Sequence, residues 1–268
     1  LQWRDIAIMA PDLERFVPFF APIFGQSDTD YPAMPFVLSE PPATEETGLQ
    51  GLFFRLLALP KGRFTVNEGL ELLAHPVIAR IYGLSQEDHA RLHVWLDRAG
   101  VRWGLDAEHR RAVDGVSQYA FTWRQALHRL LYGYASDDEL IGDTAPVSLP
   151  SGKDLRLLDA MMAFIGRIES LRDILRQPKV ATDWQSLLQH TVAWLTEAGL
   201  PADSDRDFHE ALNPLIERLS AMAAGAGLAQ PIGSEVVAAW LSEALTPRLG
   251  QAWLSGRITI CKMVPMRL

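Results

Sequence analysis

The 268-residue chain is 48% hydrophobic, has one cysteine and carries a formal net charge of −8. This length and apolar content suffice for a sizeable core, one cysteine excludes an intrachain disulfide framework, and the negative charge excludes a broadly basic nucleic-acid surface. The sequence contains no apolar run of eighteen residues and no signal-peptide pattern after Leu1. We therefore expect a cytoplasmic protein that does not enter a membrane.

The chain begins with patterns typical of alternating strands and helices. Residues 5–10 form a short apolar run that predicts a buried strand. A helix pattern follows from residue 11 to Gly25, and residues 35–39 suit a second strand. This order predicts a parallel α/β piece. The pair Pro41 and Pro42 then marks a boundary.

Almost everything from that boundary to residue 256 predicts helix. A capping-box pattern at Thr65 and a helix cap at Ser85 mark two helix starts. Apolar periodicity predicts further helices over residues 47–59, 155–175, 182–197, 206–223 and 234–245. Residues 257–263 return to a strand pattern with β-branched side chains. We expect this strand to share one sheet with residues 5–10, with the helices inserted between them.

Residues 100–136 concentrate aromatic and basic side chains. The second half predicts an amphipathic helix, for which either Thr122 or Ser117 is a suitable cap. Its apolar stripe consists of Trp123, Leu127, Leu130, Leu131 and Tyr134. An aromatic stripe at helical spacing is more typical of a core than of a base-stacking platform, so we expect these side chains to be buried.

Two segments of this stretch read RWGLDAEHRR (residues 102–111) and TWRQALHRLLYGYA (residues 122–135). Together they resemble a signature of the RecC family, the gamma subunits of bacterial exodeoxyribonuclease V. Gln125 and Ala126 stand where that family usually has Phe-Gly, and Ser136 replaces a methionine. The segments RDIAIMAPD (4–12) and ITICKMVPMR (258–267) also resemble family strands. The resemblance spans the chain in register and implies a piece of a much larger subunit.

The resemblance implies a mostly α-helical fold in which a helical subdomain is inserted into a degenerate superfamily-I helicase scaffold. We therefore expect residues 1–40 and 257–268 to form a partial α/β helicase-like domain, and residues 41–256 to form the all-helical insertion. In active relatives the last strand is followed by nucleotide-linked residues around His-x-x-Lys-Gly. Residues 263–267 lack that histidine and that glycine, so we do not expect motor chemistry here.

Two motifs that suggest nucleotide or zinc binding lack required residues. The segment SGKD at residues 151–154 resembles half a phosphate loop, but Val147 replaces its glycine and Asp154 replaces the magnesium-binding Ser or Thr. His89 and His93 have the spacing of zinc ligands, yet no third ligand is evident. An ordinary helix start and a solvated helix face are the better interpretations.

Calcium, nuclease and thiol chemistry are disfavoured in the same way. The alternating acids Asp203, Asp205 and Asp207 begin like a calcium loop, but its glycine and glutamate positions hold Phe208 and Pro214. We expect a solvated helix start at this point. The Glu-x-Lys element of metal-dependent nucleases does not occur in the sequence. The single cysteine, Cys261, lies in a predicted strand without an adjacent histidine and is best explained as a core residue.

The sequence thus predicts no catalytic residue, no cofactor site and no metal site in this chain. Its candidate DNA phosphate contacts are Arg98, Arg102, Arg110 and Arg111. Acidic residues at positions 97, 106 and 108 reduce the local positive charge of this group. The resemblance implies companion helicase–nuclease subunits and double-stranded DNA ends as partners within the full complex, and no membrane.

Three functions remain open. In the first, the chain is a helicase-like scaffold that helps hold and guide DNA strands during double-strand-break repair and recombination. In the second, which the net charge of −8 favours, it is a helical protein-interaction module without DNA contact. In the third, it belongs to the analogous subunit of another bacterial helicase–nuclease, with its nuclease and iron–sulfur residues downstream.

Overall fold

The structure is a computed structural model of the chain. It describes residues 2–11, 13–24, 34–38, 48–136, 140–147, 155–245 and 256–263. The chain divides into two compact units, an α/β unit (1–48 with 243–268) and a helical unit (49–242). No helix within these described ranges is long and apolar enough to cross a membrane. The expected domain boundaries at 40/41 and 256/257 stay a prediction.

The α/β unit contains a three-stranded parallel sheet. Its described elements are a 3₁₀ turn (Trp3–Asp5), β1 (Ala7–Ala10), α1 (Leu13–Phe24), β2 (Phe36–Leu38) and β3 (Ile258–Lys262). The strand order is β1-β3-β2, so the last strand lies between the first two. Met9 pairs with Cys261 and Phe36 pairs with Ile258. The prediction that the two ends of the chain share one sheet is confirmed.

One face of this sheet holds the apolar core of the unit. Leu13 of α1 packs with Ile258 and Ile260 of β3, and Phe20 and Phe24 of α1 pack against this cluster. The three rings of Phe20, Phe24 and Phe36 lie with centroids 5.8–6.2 Å apart. The predicted ends of α1 at Asp12 and Gly25, like the boundary at residues 41–42, lie outside the described residues.

The helical unit makes the chain mostly α-helical, as the sequence predicts. Its helices are α2 (Leu49–Leu57), α3 (Val66–Ala74), α4 (Pro76–Ile81), α5 (Gln86–Ala99), α6 (Ala107–Asp114), α7 (Trp123–Ala135), α8 (Leu155–Leu175), α9 (Ala181–Thr196), α10 (Asp203–Gly225) and most of α11 (Ser234–Leu245). The bounds of α8 and α11 agree with the predicted ones, whereas α4 and α6 were not predicted.

The predicted caps at Thr65 and Ser85 are both present, and each is a capping box. The Thr65 side chain accepts a hydrogen bond from the Glu68 N–H, and the Glu68 carboxylate accepts one from the Thr65 N–H. Ser85 and Asp88 form the same pair at the start of α5. Burial alone would raise the pKa of Asp88, but hydrogen bonds from the Ser85 backbone and from Arg156 outweigh it and lower the pKa to about 2.

The acidic start of α10 differs from the prediction. Asp205 is 4% exposed rather than solvated. Its Oδ1 accepts a hydrogen bond from the Leu49 N–H at 2.8 Å. The carboxylate therefore satisfies a backbone donor at the start of α2, which has no partner within its own helix. This contact joins two helices that are far apart in sequence.

Candidate functional site

The candidate site is built around a loop that follows α5. Gly100 ends α5 with a positive φ of 77°, and its N–H donates to the carbonyls of Leu96 and Asp97. Trp103 then pairs with Thr65 in an isolated antiparallel bridge. Asp106 caps α6 by accepting a hydrogen bond from the His109 N–H at 2.7 Å. We call residues 98–111 the arginine segment.

The buried Arg110 side chain binds the backbone of the arginine segment and of the loop that precedes α7. Its guanidinium donates to the carbonyls of Trp103, Ala120 and Phe121 at 2.8–3.2 Å and lies 4.7 Å from the centroid of the Trp103 ring. Arg110 is 3% exposed. Burial lowers the pKa of Arg110 from its ordinary value, but an arginine stays charged at neutral pH. Its donors are therefore committed to the loop, and the prediction of a phosphate contact at Arg110 is wrong.

Gly104 is required at this point by both conformation and space. Its φ is 80°, and a Cβ there would lie 2.8 Å from Cγ of Arg110. The Gly104 N–H donates to the carbonyls of Arg63 and Phe64. The Trp123 N–H of α7 in turn donates to the Gly104 carbonyl at 3.0 Å. The tight turn thus links α7 to the loop that precedes α3.

His109 is a buried residue that the sequence analysis did not single out. Its Nδ1 accepts a hydrogen bond from the Leu105 N–H at 3.0 Å, and its Nε2–H donates to the Gly62 carbonyl at 3.0 Å. These partners require the neutral imidazole. Burial, together with the charge of nearby Arg172, lowers the pKa of His109. His109 therefore fixes two loops and is not a surface cation.

The other three predicted phosphate contacts are exposed. Arg98 precedes the turn at Gly100, Arg102 follows it, and Arg111 lies on α6. Within the described ranges, none of these three guanidiniums has a hydrogen bond or an ion pair. They remain available to a ligand, and their contact with phosphate stays a prediction.

Arg63 is a further exposed arginine that the sequence pattern did not reveal. Its guanidinium lies 4.9 Å from the centroid of the Trp103 ring and 3.8 Å from a carboxylate oxygen of Asp114. Only the fold brings residue 63 to this loop, because the Arg63 carbonyl accepts from the Gly104 N–H. Trp103 therefore lies against two guanidiniums, those of Arg63 and Arg110.

Two arginines of α7 are occupied by neighbouring groups. Arg124 pairs with Glu169 at 2.7 Å and with Asp106 at 3.8 Å. The hydrogen bonds that Arg124 donates to the Glu169 carboxylate raise the pKa of Arg124. Arg129 donates to the carbonyls of Ala99 and Ala145. These two side chains secure the arginine segment to α7 and α8.

The buried face of α7 differs in part from the predicted stripe. Trp123 and Leu130 are fully buried, and Ala126 completes this face. Trp123 Nε1–H donates to the Phe64 carbonyl at 3.2 Å, and Thr122 caps the helix. Leu127 and Leu131 are half-buried, and Tyr134 is 44% exposed. The expectation of burial is confirmed for Trp123 and wrong for Tyr134.

The other residues that suggested zinc, thiol or nucleotide chemistry either have structural contacts or lie outside the described residues. His89 Nε2–H donates to the Leu73 carbonyl at 2.8 Å, and His93 is exposed. Cys261 is half-buried in β3 rather than deep in the core. Residues 151–154 lie outside the described residues. The described residues contain no group of three or more acidic, histidine or cysteine side chains that could hold a metal ion.

The arginine segment lies within a region that matches a known protein family. The family model of the fourth domain of RecC, a RecBCD enzyme subunit, matches residues 46–248, which contain the entire arginine segment. The chain belongs to the RecC family. The RecC resemblance of the sequence is therefore confirmed. The third alternative, the analogous subunit of another bacterial helicase–nuclease, is disfavoured.

Individual RecC relatives extend the match to both ends of the chain. The RecBCD enzyme subunit RecC of Escherichia coli is 28% identical over 272 residues, which cover 98% of this chain and 23% of that protein. The Haemophilus influenzae subunit is 25% identical over 270 residues, with the same shares. The Mycolicibacterium smegmatis subunit is 28% identical over 288 residues, which cover 100% of this chain and 26% of that protein. The chain thus spans about a quarter of these curated relatives.

Proposed function

We propose that this RecC-family chain is a helicase-like scaffold that helps hold and guide DNA strands during double-strand-break repair and recombination. The proposal rests on the match to the RecC fourth domain over residues 46–248. In this proposal the companion subunits of the RecBCD enzyme supply ATP hydrolysis and DNA cleavage. This chain supplies shape and local positive charge.

The arginine segment supports the proposal because a rigid frame presents its free guanidiniums. The buried side chains of His109 and Arg110 bind four backbone carbonyls of the surrounding loops. The loop backbone is therefore ordered before any ligand arrives, which lowers the entropic cost of binding. Arg98, Arg102 and Arg111 are then available to phosphate oxygens.

The surrounding carboxylates limit the strength of this contact. Asp97 and Glu108 are exposed beside the arginines, and the whole chain has a net charge of −8. Three phosphate contacts correspond to a slope of about −3 for log K against log salt concentration on duplex DNA. We therefore expect weak binding that is lost between low and physiological salt.

A salt titration tests the DNA-binding part of the proposal. Fluorescent forked DNA is titrated with the purified chain at about 50 and 150 mM salt, spanning the range over which phosphate contacts lose affinity. The triple variant Arg98→Glu, Arg102→Glu, Arg111→Glu should abolish low-salt binding. The control Arg218→Glu, which reverses an exposed arginine on α10, should retain it. Equal binding by the triple variant would contradict the assignment of these arginines.

The absence of catalysis is tested separately. ATP hydrolysis needs a phosphate cradle, a magnesium ligand and a group that positions water, and the motif at residues 151–154 supplies only part of this set. We expect the chain alone neither to hydrolyse ATP nor to cleave DNA. ATP turnover that is abolished by Lys153→Ala would contradict a purely scaffolding function, as would tight DNA binding that persists at physiological salt.

A helical protein-interaction module without DNA contact is the second candidate. The net charge of −8 favours it, because such a surface repels phosphates outside a local basic patch. The relatives are named as subunits of the RecBCD enzyme. If the purified chain binds companion subunits but not forked DNA at any salt concentration, this second function is supported over the first.

A further inference from the structure

A groove between α8 and α9 is separate from the arginine segment. It consists of two adjoining cavities of about 450 Å³ and 310 Å³, and both are lined by Arg167 and His190. The larger cavity is also bounded by Tyr82, Trp194 and Glu197. We call the two cavities together the α8–α9 groove. All its lining residues belong to the helical unit.

The helical periodicity of the two walls explains the shape of the groove. On α8 the lining residues recur at spacings of four, three and four; they are Ala163, Arg167, Ser170 and Ile174. On α9 they include Leu187, His190 and Ala193, and Glu197 follows at the C-cap of this helix. Each set therefore lies along one helix face. The small side chains leave space, and residues 163 to 174 extend over about 16 Å.

Arg167 places an unpaired positive charge at the centre of the groove. Its guanidinium lies 5.1 Å from the centroid of the Trp194 ring, and Trp194 lines the larger cavity together with Tyr82. In the described part of the chain, Arg167 has no ion pair and no hydrogen bond. The stacked indole limits the motion of the side chain, so its donors are oriented before a partner binds.

The two ends of the groove differ in polarity. Ile174, which is 44% exposed, and Leu187 make one end apolar. Glu197 makes the other end acidic, and it follows His190 by seven residues, or about 10 Å along α9. His190 Nδ1–H donates to the Ser186 carbonyl at 2.6 Å, which leaves Nε2 for a ligand. The order along the groove is thus apolar, cationic and anionic.

This order of charges favours a protein helix over a nucleic-acid strand. A strand carries a negative phosphate at every nucleotide, so a strand lying along the groove would meet the carboxylate of Glu197. A helix can instead present an aliphatic side chain, a carboxylate and a basic side chain on one face, at spacings of three, four and seven residues.

We propose that the α8–α9 groove binds a helix of a companion subunit, with a carboxylate of that helix paired to Arg167. This inference rests on the proposed function, because it takes the partner from the same complex. The helix carries an Asp or Glu opposite Arg167 and an aliphatic residue against Ile174 and Leu187. A Lys or Arg about two turns from the carboxylate pairs with Glu197.

Site-specific photo-crosslinking identifies the occupant. The photoreactive amino acid p-benzoylphenylalanine replaces Ala193 in the full RecC subunit, which is assembled with its companion subunits and DNA. The matched control replaces Ala224, an exposed alanine on α10. The crosslink from position 193 should fall on an acidic helix of a companion subunit. A crosslink to DNA, or no crosslink above the control, overturns the proposal.

Charge reversal tests the contact at Arg167. The variants Arg167→Glu and Ala163→Trp, which fills the groove without changing its charge, should each weaken binding to the companion subunits about tenfold or more. The control Arg218→Glu should change the Kd less than about twofold, as expected for an arginine outside a buried contact. Far-UV circular dichroism and the thermal midpoint verify that each variant is folded.

The outcomes separate the two proposals. If the wild-type RecC subunit does not bind the companion subunits, this inference fails, whereas the proposed function is decided separately by the salt titration with forked DNA. If the wild-type chain binds and both groove variants bind equally well, the groove assignment alone is wrong. Weakened binding by both variants, with an unchanged control, supports the groove as the docking surface.

Discussion

The two compact units bury their large side chains to very different extents. In the helical unit the largest fully buried residues are Phe53, Trp123, Phe164 and Trp184. In the α/β unit the described buried cluster consists of Leu13, Ile258 and Ile260, and three large side chains of α1 stay exposed; they are Phe16, Phe19 and Ile23. The helical unit therefore buries its largest side chains in a core of its own, whereas the described part of the α/β unit has a small buried cluster and keeps large side chains of α1 exposed.

This difference follows from the kinds of layers that each unit contains. An amphipathic helix can bury its apolar face against neighbouring helices of the same unit. A parallel sheet usually requires cover on both of its faces, yet Met9 of β1 is 56% exposed. The exposed side chains of α1 and Met9 of β1 therefore add apolar surface to the α/β unit. Four substitutions test this contrast.

Trp123→Ala should cause the largest loss of stability. The Trp123 ring is fully buried, packs on Phe64 with centroids 5.5 Å apart and donates to the Phe64 carbonyl. Its removal should lower the free energy of unfolding by about 3–5 kcal/mol. Urea unfolding followed by circular dichroism measures this. An unchanged unfolding midpoint would show that the ring is exposed and would revive the base-stacking alternative.

Gly133→Ala should cost about 1–3 kcal/mol because α7 has no room for a methyl group at this position. A Cβ on Gly133 would overlap the Val147 carbonyl oxygen. Gly166→Ala is the matched control, because Gly166 also lies in a helix and a Cβ there meets no atom within 4 Å. The control should gain up to about 1 kcal/mol from helix propensity. Changes of the same sign in both variants would contradict this close packing.

His109 should make the helical unit less stable as the pH falls from 7 to 5. Its pKa is lowered by burial, so below about pH 6.5 the unfolded chain binds a proton that the folded chain does not. Stability is therefore complete above the unfolded pKa and is lost as the pH falls towards the folded pKa. One proton can account for at most about 2 kcal/mol over this range.

His109→Gln should flatten this pH dependence, since glutamine can donate to Gly62 without titrating. The exposed His93 provides the matched control, and His93→Gln should keep the wild-type pH dependence. Thermal unfolding of the three proteins at pH 5, 6 and 7 gives the comparison. An equal slope for wild type and His109→Gln would show that other groups cause the acid sensitivity.

Phe19→Ser should have the smallest effect on stability. The Phe19 side chain is 58% exposed on α1, so its replacement should change the free energy of unfolding by less than about 0.5 kcal/mol. The same substitution should raise the solubility of the isolated chain, because it divides an apolar stripe. A loss of more than about 1 kcal/mol, well above the range of surface substitutions, would mean that the α/β unit buries this side chain itself.

Strong periodicity and side-chain caps made much of the fold predictable. The predicted bounds of α8 and α11 agree with the structure because their apolar residues recur regularly. Thr65 and Ser85 begin helices because each has an acidic partner three residues later. The shared sheet was predictable from the strand patterns at both ends of the chain.

The candidate site was less predictable because its order comes from polar contacts. The sequence AEHRRAVD of α6 has no apolar stripe, and the helix depends on the Asp106 cap and on buried His109 and Arg110. The acid cap and Gly115 at the end were the available signals. Sequence spacing could not separate Arg110 from Arg111, because the burial of Arg110 follows from hydrogen bonds to loop carbonyls 7–11 residues away, which helical periodicity does not place. The place of Arg63 and the α8–α9 groove were hidden because tertiary packing alone brings their residues together.

The strand order β1-β3-β2 has a consequence for synthesis of the protein. The strands β1 and β2 do not pair with each other, since β3 lies between them, and Met9 meets its partner Cys261 only about 250 residues later. At roughly 5–20 residues per second, the ribosome makes β3 about 10–50 seconds after β1. During this interval the edges of β1 and β2 and the apolar residues of α1 have no completed sheet to join. The segment that carries β1, α1 and β2 can therefore complete its sheet only after β3, which follows the helical unit in the sequence, has been made.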